Sequence, residues 1–265
     1  MMNQDATPLP SPLPGLALRG LLTLGGIAAL IAMMVDLGIS PVALAGGFTK
    51  LGVFLLAMFP PSDGGDLPRI LKSLLETLAM ALAGTTLAVL VAAPLGFLGA
   101  RTVVGQPAFH FLFRRMLDIF RGVPVLVWAL IFVAAFGLGP FGGVIALAVA
   151  DIPSLSKLFA EAIENCDRGP VEGTRAAGGS RLHEIRFALA PQVAPILASQ
   201  SLYYLESNFR NAAVLGIVGA GGIGFELEER IRIFAFDEVA FIVLLYMVAV
   251  ALLDSLSRRL RSALA

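Results

Sequence analysis

From Leu74 to Leu98 the chain runs for 25 residues with Glu76 as the sole charged side chain. A stretch of 18 or more apolar residues is long enough to cross a bilayer as a helix, and lipid offers the backbone no other hydrogen-bond partner. The pattern recurs at Leu16–Val35, Ile119–Gly137, Phe141–Phe159, Gln192–Val218 and Val239–Leu256. These segments predict an all-α membrane protein with six transmembrane helices. Composition agrees: 14% of residues are charged and mean hydropathy is +0.86, against about 25% charged in soluble domains. The net charge of zero supplies no global field for nucleic acid or an anionic ligand. Cys166, the one cysteine, excludes an internal disulfide.

Residues 1–15 hold four prolines and read as a disordered cytoplasmic tail. Residues 16–72 read as an N-terminal membrane helix and an extracytoplasmic segment. Within it, Pro41, Gly46, Gly47 and Lys50 interrupt 36–61, which suggests an interfacial or re-entrant helix. The core is expected over 73–262. Arg101 to Asp118 reads as an inner loop. Pro124 and Pro153 are expected to kink their helices. Loops placed inside hold Arg101, Arg114, Arg115, Arg168, Arg175, Arg181, Arg186, Arg258, Arg259 and Arg261. Loops placed outside hold Lys50, Arg69, Lys72, Arg230 and Arg232. The bias of about two to one puts both termini in the cytoplasm.

One polar stretch interrupts the apolar pattern on the same side: EGTRAAGGSRLHEIRFALAP, Glu172 to Pro191. It reads as two short helices broken at Gly178-Gly179, with Ser180 capping the second. Leu182, Ile185 and Leu189 fall on one face of that helix, with Arg181, His183 and Glu184 elsewhere. A helix-turn-helix between membrane spans is a docking surface.

Glu172, Gly178 and Pro191 stand at the spacing of the coupling loop of ABC-importer permeases, E-A-A, three residues, G, nine residues, I-x-L-P. Here Gly173 and Thr174 replace the alanines, and Ala188 and Ala190 replace the Ile and Leu. The stretches LKSLLETLAMALAGT (71–85), DIFRGVPVLVWALIFVAAFGLGPFGGVIALA (118–148), KLFAEAIEN (157–165) and VLGIVGAGGIGFEL (214–227) resemble the phosphonate/phosphite branch of that family. The likeness covers roughly residues 60–262. It implies a five-helix permease core plus one N-terminal helix, in a multi-pass protein of the bacterial inner membrane. It further implies a second permease copy, two cytoplasmic ATPases that dock on the coupling loop (165–191) and bind ATP and Mg, and an extracytoplasmic binding protein. Glu172 would anchor the loop by charge or helix capping, beside Arg175; Gly178 and Gly179 would allow its bend, and Pro191 would set where the next span starts. The substrate implied is phosphonate, phosphite or a related phosphorus oxyanion, with another small solute as the alternative. No cofactor is expected in this chain.

Several polar residues lie within or beside the spans and are candidates for the pathway or its gate. Glu206 and Arg210 are one helical turn apart with Asn208 between them; they form either a structural ion pair or a contact for an anion in transit. Asp151 needs a polar partner on a neighbouring helix, and Arg121 opens RGVP with a bland snorkelling alternative. Glu161, Glu164 and Asp167 read as a solvated face. Gly219, Gly221, Gly222 and Gly224 contain G-x-G-x-x-G literally, but with no strand before it. They read as a flexible turn at the outer mouth that lets helices approach, or secondarily as an anion nest.

Enzyme constellations are absent. His183-Glu184 lacks the second histidine of a zinc helix, and neither a nucleophile elbow nor a phosphate-binding loop occurs. An ion-coupled secondary transporter would show duplicated halves, and no internal repeat is visible. An intramembrane enzyme would need a nucleophile or metal cluster in the spans.

Overall fold

The computed structural model describes residues 13–38 and 40–264, and every element of regular structure in it is helical. The chain divides into two compact units, Met1–Ala57 and Met58–Ala265. The first holds α1 (Leu13–Asp36) and α2 (Pro41–Ala57). Pro14 lies in the first turn of α1, where its missing N–H costs nothing. The tail expected over 1–15 falls mostly outside the described residues, and Leu13, Pro14 and Gly15 are already helical.

The second unit contains α3 (Leu67–Gly99), α4 (Pro107–Arg121), α5 (Val125–Phe136), α6 (Pro140–Glu164), α7 (Arg168–Ala176), α8 (Arg181–His183), α9 (Ala190–Leu215), α10 (Gly222–Arg232) and α11 (Phe236–Leu264). Short π-helical segments, Glu184–Leu189 and Gly216–Ala220, flank α9. Helix α3 packs along α6 on small residues. A Cβ at Gly84 would stand 2.8 Å from Leu147 Cβ, and one at Gly96 2.6 Å from Phe159 Cβ. Between membrane helices this approach stands in for the hydrophobic driving force that lipid removes. The core above and below is built by Met80, Leu147, Phe209 and Leu215, and by Ala88, Leu155 and Phe159.

The region from 101 to 137 departs from expectation. Residues 107–121 form a helix, not a loop, and the expected span 119–137 is replaced by α5 alone. The two helices meet at 77° across Gly122-Val-Pro124. Pro124 has no N–H to continue the ladder and takes an extended ψ of 145°. Helix α5 has 12 residues, about 18 Å, short of the ~30 Å hydrocarbon thickness. Pro153, expected to kink α6, lies inside a helix that runs unbroken through it.

Among the described residues, four helices are long and apolar enough to cross a membrane, and five if the bent pair counts as one span. The expected six is not reached on that measure. Helix α9, at 26 residues, is long enough, but Gln192, Gln200, Glu206, Asn208 and Arg210 make it too polar.

Candidate functional site

The segment after α6 folds as a helical hairpin at the end of the bundle. Asp167 caps α7, its Oδ1 accepting from Gly169 N–H at 3.0 Å. Gly178, at φ 79°, ends that helix in the left-handed region, where residues with a Cβ are strained. Ser180 opens α8 and donates its N–H to His183 Nδ1 at 3.2 Å. The two arms are locked by Glu184, which is buried. Arg175 Nε donates to Glu184 Oε1 at 2.9 Å and an Arg175 terminal nitrogen donates to Oε2 at 3.2 Å. These bonds from Arg175 hold the Glu184 carboxyl below the usual carboxylate range.

Sequence reading misplaced three details here. Glu184 is the inward anchor, not an outward residue. Leu182, placed on one face with Ile185 and Leu189, is exposed while Leu189 is buried. The cap of α7 is Asp167, while Glu172 sits exposed in the middle of the helix. Pro191 occupies the first turn of α9. Since it cannot donate to the carbonyl one turn back, the π-helical segment before it takes up the extra residue, and Ala190 N–H bonds to Ile185 O. The hairpin presents Glu172, Arg175, Leu182 and Phe187 to solvent, with the His183 ring stacked on Phe187 at 6.0 Å.

Deep in the bundle three helices share one polar node. Asn208 on α9 is fully buried and donates to Thr85 Oγ1 on α3 at 2.9 Å and to Asp151 Oδ2 on α6 at 2.5 Å. Asn208 Oδ1 has no hydrogen-bond partner. The partner that Asp151 needed is therefore Asn208. No hydrogen bond or ion pair among the described residues joins Arg121, exposed at the end of α4, to this node. The Glu206–Arg210 pair does not form. Glu206 pairs with Arg261 at 2.8 Å, and Arg210 with Asp254 at 3.3 Å, both partners on α11. An antiparallel helix alongside α9 offers each side chain a closer opposite charge than its own helix does. Glu164 is also no solvated residue. Its carboxylate accepts from Arg101 N–H at 2.8 Å and from Arg114 at 3.1 Å.

At the opposite end, the glycine-rich turn reverses the chain between α9 and α10. Gly219, Gly221 and Gly222 have φ of 95°, 79° and 69°. The turn is pinned rather than loose: Gly139 N–H donates to Gly219 O at 2.9 Å, and Ile223 N–H to Thr77 Oγ1 at 2.7 Å. No strand precedes it, so the dinucleotide reading fails. The Ile223 amide is already bonded, which removes a donor from the anion-nest reading.

Behind this turn lies a charge network that sequence reading passed over as outer-loop basic residues. Buried Arg230 pairs with Glu226 at 2.5 Å, Glu238 at 2.9 Å and Asp66 at 3.5 Å. Arg69 Nε donates to Glu226 Oε1 at 2.9 Å, and Ser73 Oγ donates to the same oxygen at 3.1 Å. The Glu226–Arg230 spacing of four was the available signal. Glu238 is eight residues from Arg230, and Asp66, Arg69 and Ser73 are distant in sequence.

Residues 84–265 match the family described as binding-protein-dependent transport system inner membrane component. The chain is 41% identical over 218 residues to the putative phosphite transport system permease protein HtxC of Stutzerimonas stutzeri, covering 82% of this chain and 77% of that protein. It is 39% identical to the phosphite transport system permease protein PtxC of the same organism, covering 89% of this chain and 85% of that protein. With the phosphate-import permease protein PhnE of Mycolicibacterium smegmatis it shares 38% identity, over 90% of this chain and 45% of that protein. Among solved structures, a chain of the MetNI methionine ABC transporter in inward-facing conformations superposes with a TM-score of 0.64 at 23% identity, covering 74% of this chain and 96% of that chain.

Proposed function

We propose the following from the premise that this chain belongs to the family of binding-protein-dependent transport system inner membrane components. It is the permease subunit of an ABC importer and not an enzyme. Its cargo is phosphite, a phosphonate or a related phosphorus oxyanion, the class named in relatives that match more than four-fifths of it. Two copies form the path, with α9 crossing as a sixth span whose polar residues turn toward protein. Both termini and the 165–191 hairpin face the cytoplasm. There each hairpin seats in a cytoplasmic ATPase, which binds ATP and Mg, while an extracytoplasmic binding protein delivers the anion at the other face.

The observation that carries this reading is the hairpin itself. Its arms are locked internally by Arg175 and Glu184, so a push on α7 is passed to α9 without being lost in a loose loop. Its exposed rim of Glu172, Leu182 and Phe187 is mixed polar and apolar, as a docking surface needs. Closure of the ATPases would move the hairpins and rock the helices as rigid bodies, opening the path alternately. The node at Asp151, Thr85 and Asn208 joins three helices where such rocking must slide or hinge, and with Arg121 and Arg210 it is assigned to the pathway or its gate. Gly219, Gly221 and Gly222 form the pinned outer turn of that gate.

Gly178→Leu tests the coupling role in the reconstituted complex. The strained turn should leave the chain inserted yet sever substrate stimulation of ATP hydrolysis, and Glu172→Ala should do so more weakly. Full stimulation in Gly178→Leu would reduce the hairpin to a connector.

A further inference from the structure

A cavity of about 580 Å3 at the same end of the bundle as the hairpin is lined by four cationic side chains. Its wall comes from the link after α3, from α4 and from α6: Arg101, Gln106, His110, Arg114, Arg115 and Lys157. The acidic groups are fewer. Asp118 on the wall is held by Lys157 and lies 3.6 Å from Arg115, and Glu164 behind it is held by Arg114. With four cations against these two carboxylates, the cavity keeps a local excess of positive charge in a chain of zero net charge. Among the described residues the Arg101 guanidinium has no ion-pair partner, and Arg115 faces solvent on the ring of Phe111 at 5.4 Å. Buried His110 on the wall turns its Nε2 toward Glu164, 3.7 Å from Oε1. The 15-residue helix α4 also opens onto the cavity at Gln106 and Pro107, and its first amides have no acceptor within the helix.

We propose that this cavity is a binding site for a phosphate group. A helix N-terminus, the unpaired Arg101 guanidinium and the solvent-facing Arg115 fork, whose Asp118 contact is long, line one space, and this donor set suits a tetrahedral, multiply charged oxyanion better than a single carboxylate. None of its wall residues is among those assigned above to the pathway or its gate. The link that carries Arg101 continues to Thr102, whose carbonyl accepts from Arg181 of the hairpin at 3.3 Å. A bound phosphate therefore braces the link against α4 and α6 next to the coupling segment. Two sources supply the same chemistry. One is the headgroup of an anionic phospholipid, which the exposed Phe109, Leu112 and Met116 of α4 would place nearby. The other is free inorganic phosphate.

The test uses the purified full chain in nanodiscs, where both faces are open, so it depends neither on membrane orientation nor on transport. In discs of phosphatidylcholine, inorganic phosphate is titrated while amide hydrogen exchange is followed over 101–118. In discs containing phosphatidylglycerol, retained lipid is measured by native mass spectrometry after transfer to detergent. Protection in the first assay identifies the free anion as ligand, and retention in the second identifies the headgroup. In either case Arg101→Gln with Arg115→Gln, which leaves the Arg114–Glu164 and Lys157–Asp118 pairs in place, should weaken the effect at least tenfold. The charge-preserving Arg101→Lys with Arg115→Lys should keep most of it, which also guards against a folding defect in the glutamine variant. No protection and no retention in the wild-type chain, or equal binding by wild type and the glutamine variant, would overturn the site. Either result leaves the importer reading standing, since that reading is tested by transport.

Discussion

The sharpest test of the packing around the outer turn is Gly224→Ala. A Cβ at Gly224 would lie 1.8 Å from Ala213 O, 2.9 Å from Ala213 C and 3.0 Å from Gly216 Cα, all backbone atoms of α9 and the turn after it. An ordinary carbon–oxygen approach is about 3.3 Å or more, so α10 must retreat from α9 by roughly 1.5 Å. No flexible side chain can yield instead. Retreat strains the Ile223–Thr77 bond and the contacts of Glu226 with Arg69 and Ser73, which fix α10 from its other side. Overpacking costs about 1–3 kcal/mol, and the absence of any yielding neighbour puts this case at the top, about 3 kcal/mol or roughly a 150-fold shift toward unfolded. Gly173→Ala is the control. It meets nothing within 4 Å inside α7, and helix propensity should make it neutral or stabilising by up to about 1 kcal/mol. Unfolding followed by helicity in detergent should rank the variants Gly173→Ala, wild type, Gly224→Ala. A Gly224→Ala protein as stable as wild type would refute the close approach of α9 and α10.

Cys166 offers a probe of sidedness. An impermeant maleimide should label it in inside-out vesicles lacking the ATPase and not in intact spheroplasts. Burial raises its thiol pKa, so labelling should keep accelerating with pH past the usual thiol value of about 8.5; labelling from outside would reverse the topology. For the charges within α9, Glu206→Gln should be rescued by Arg261→Gln and not by Arg210→Gln, read as restored uptake. Rescue by Arg210→Gln would reinstate the intrahelical pair. Arg230→Gln should destabilise the fold by about 1.5–3 kcal/mol in the same unfolding assay, because the buried Glu226 carboxylate loses its Arg230 partner at Oε2 while Arg69 and Ser73 still hold Oε1.

The features legible in the sequence were those set by local rules. Apolar runs located α1, α3, α6 and α11, the Gly178-Gly179 pair located the bend of the hairpin, and Ser180 located the start of α8. The break between α4 and α5 was half legible. Pro124 marked it, but the charges of 101–121 suggested a loop. Arg114, Asp118 and Arg121 recur at helical spacing opposite Phe109, Leu112 and Met116, and that amphipathic pattern was the signal missed. The electrostatic partners were not legible. Arg261 is 55 residues from Glu206, and Asp66 is 164 from Arg230. Finding these partners requires knowing which helices lie side by side. The same holds for the Asn208 node, whose three members come from three helices.

The central claim is ATP-driven import of a phosphorus oxyanion through this chain, and proteoliposome uptake measures it directly. Two copies of the chain are reconstituted with the partner ATPase, and the binding protein loaded with labelled phosphite is added outside. The account predicts uptake that requires internal ATP and the binding protein, persists when ion gradients are dissipated, and falls to background in Gly178→Leu. Uptake by the chain alone, or uptake that follows an ion gradient and ignores ATP, would contradict it.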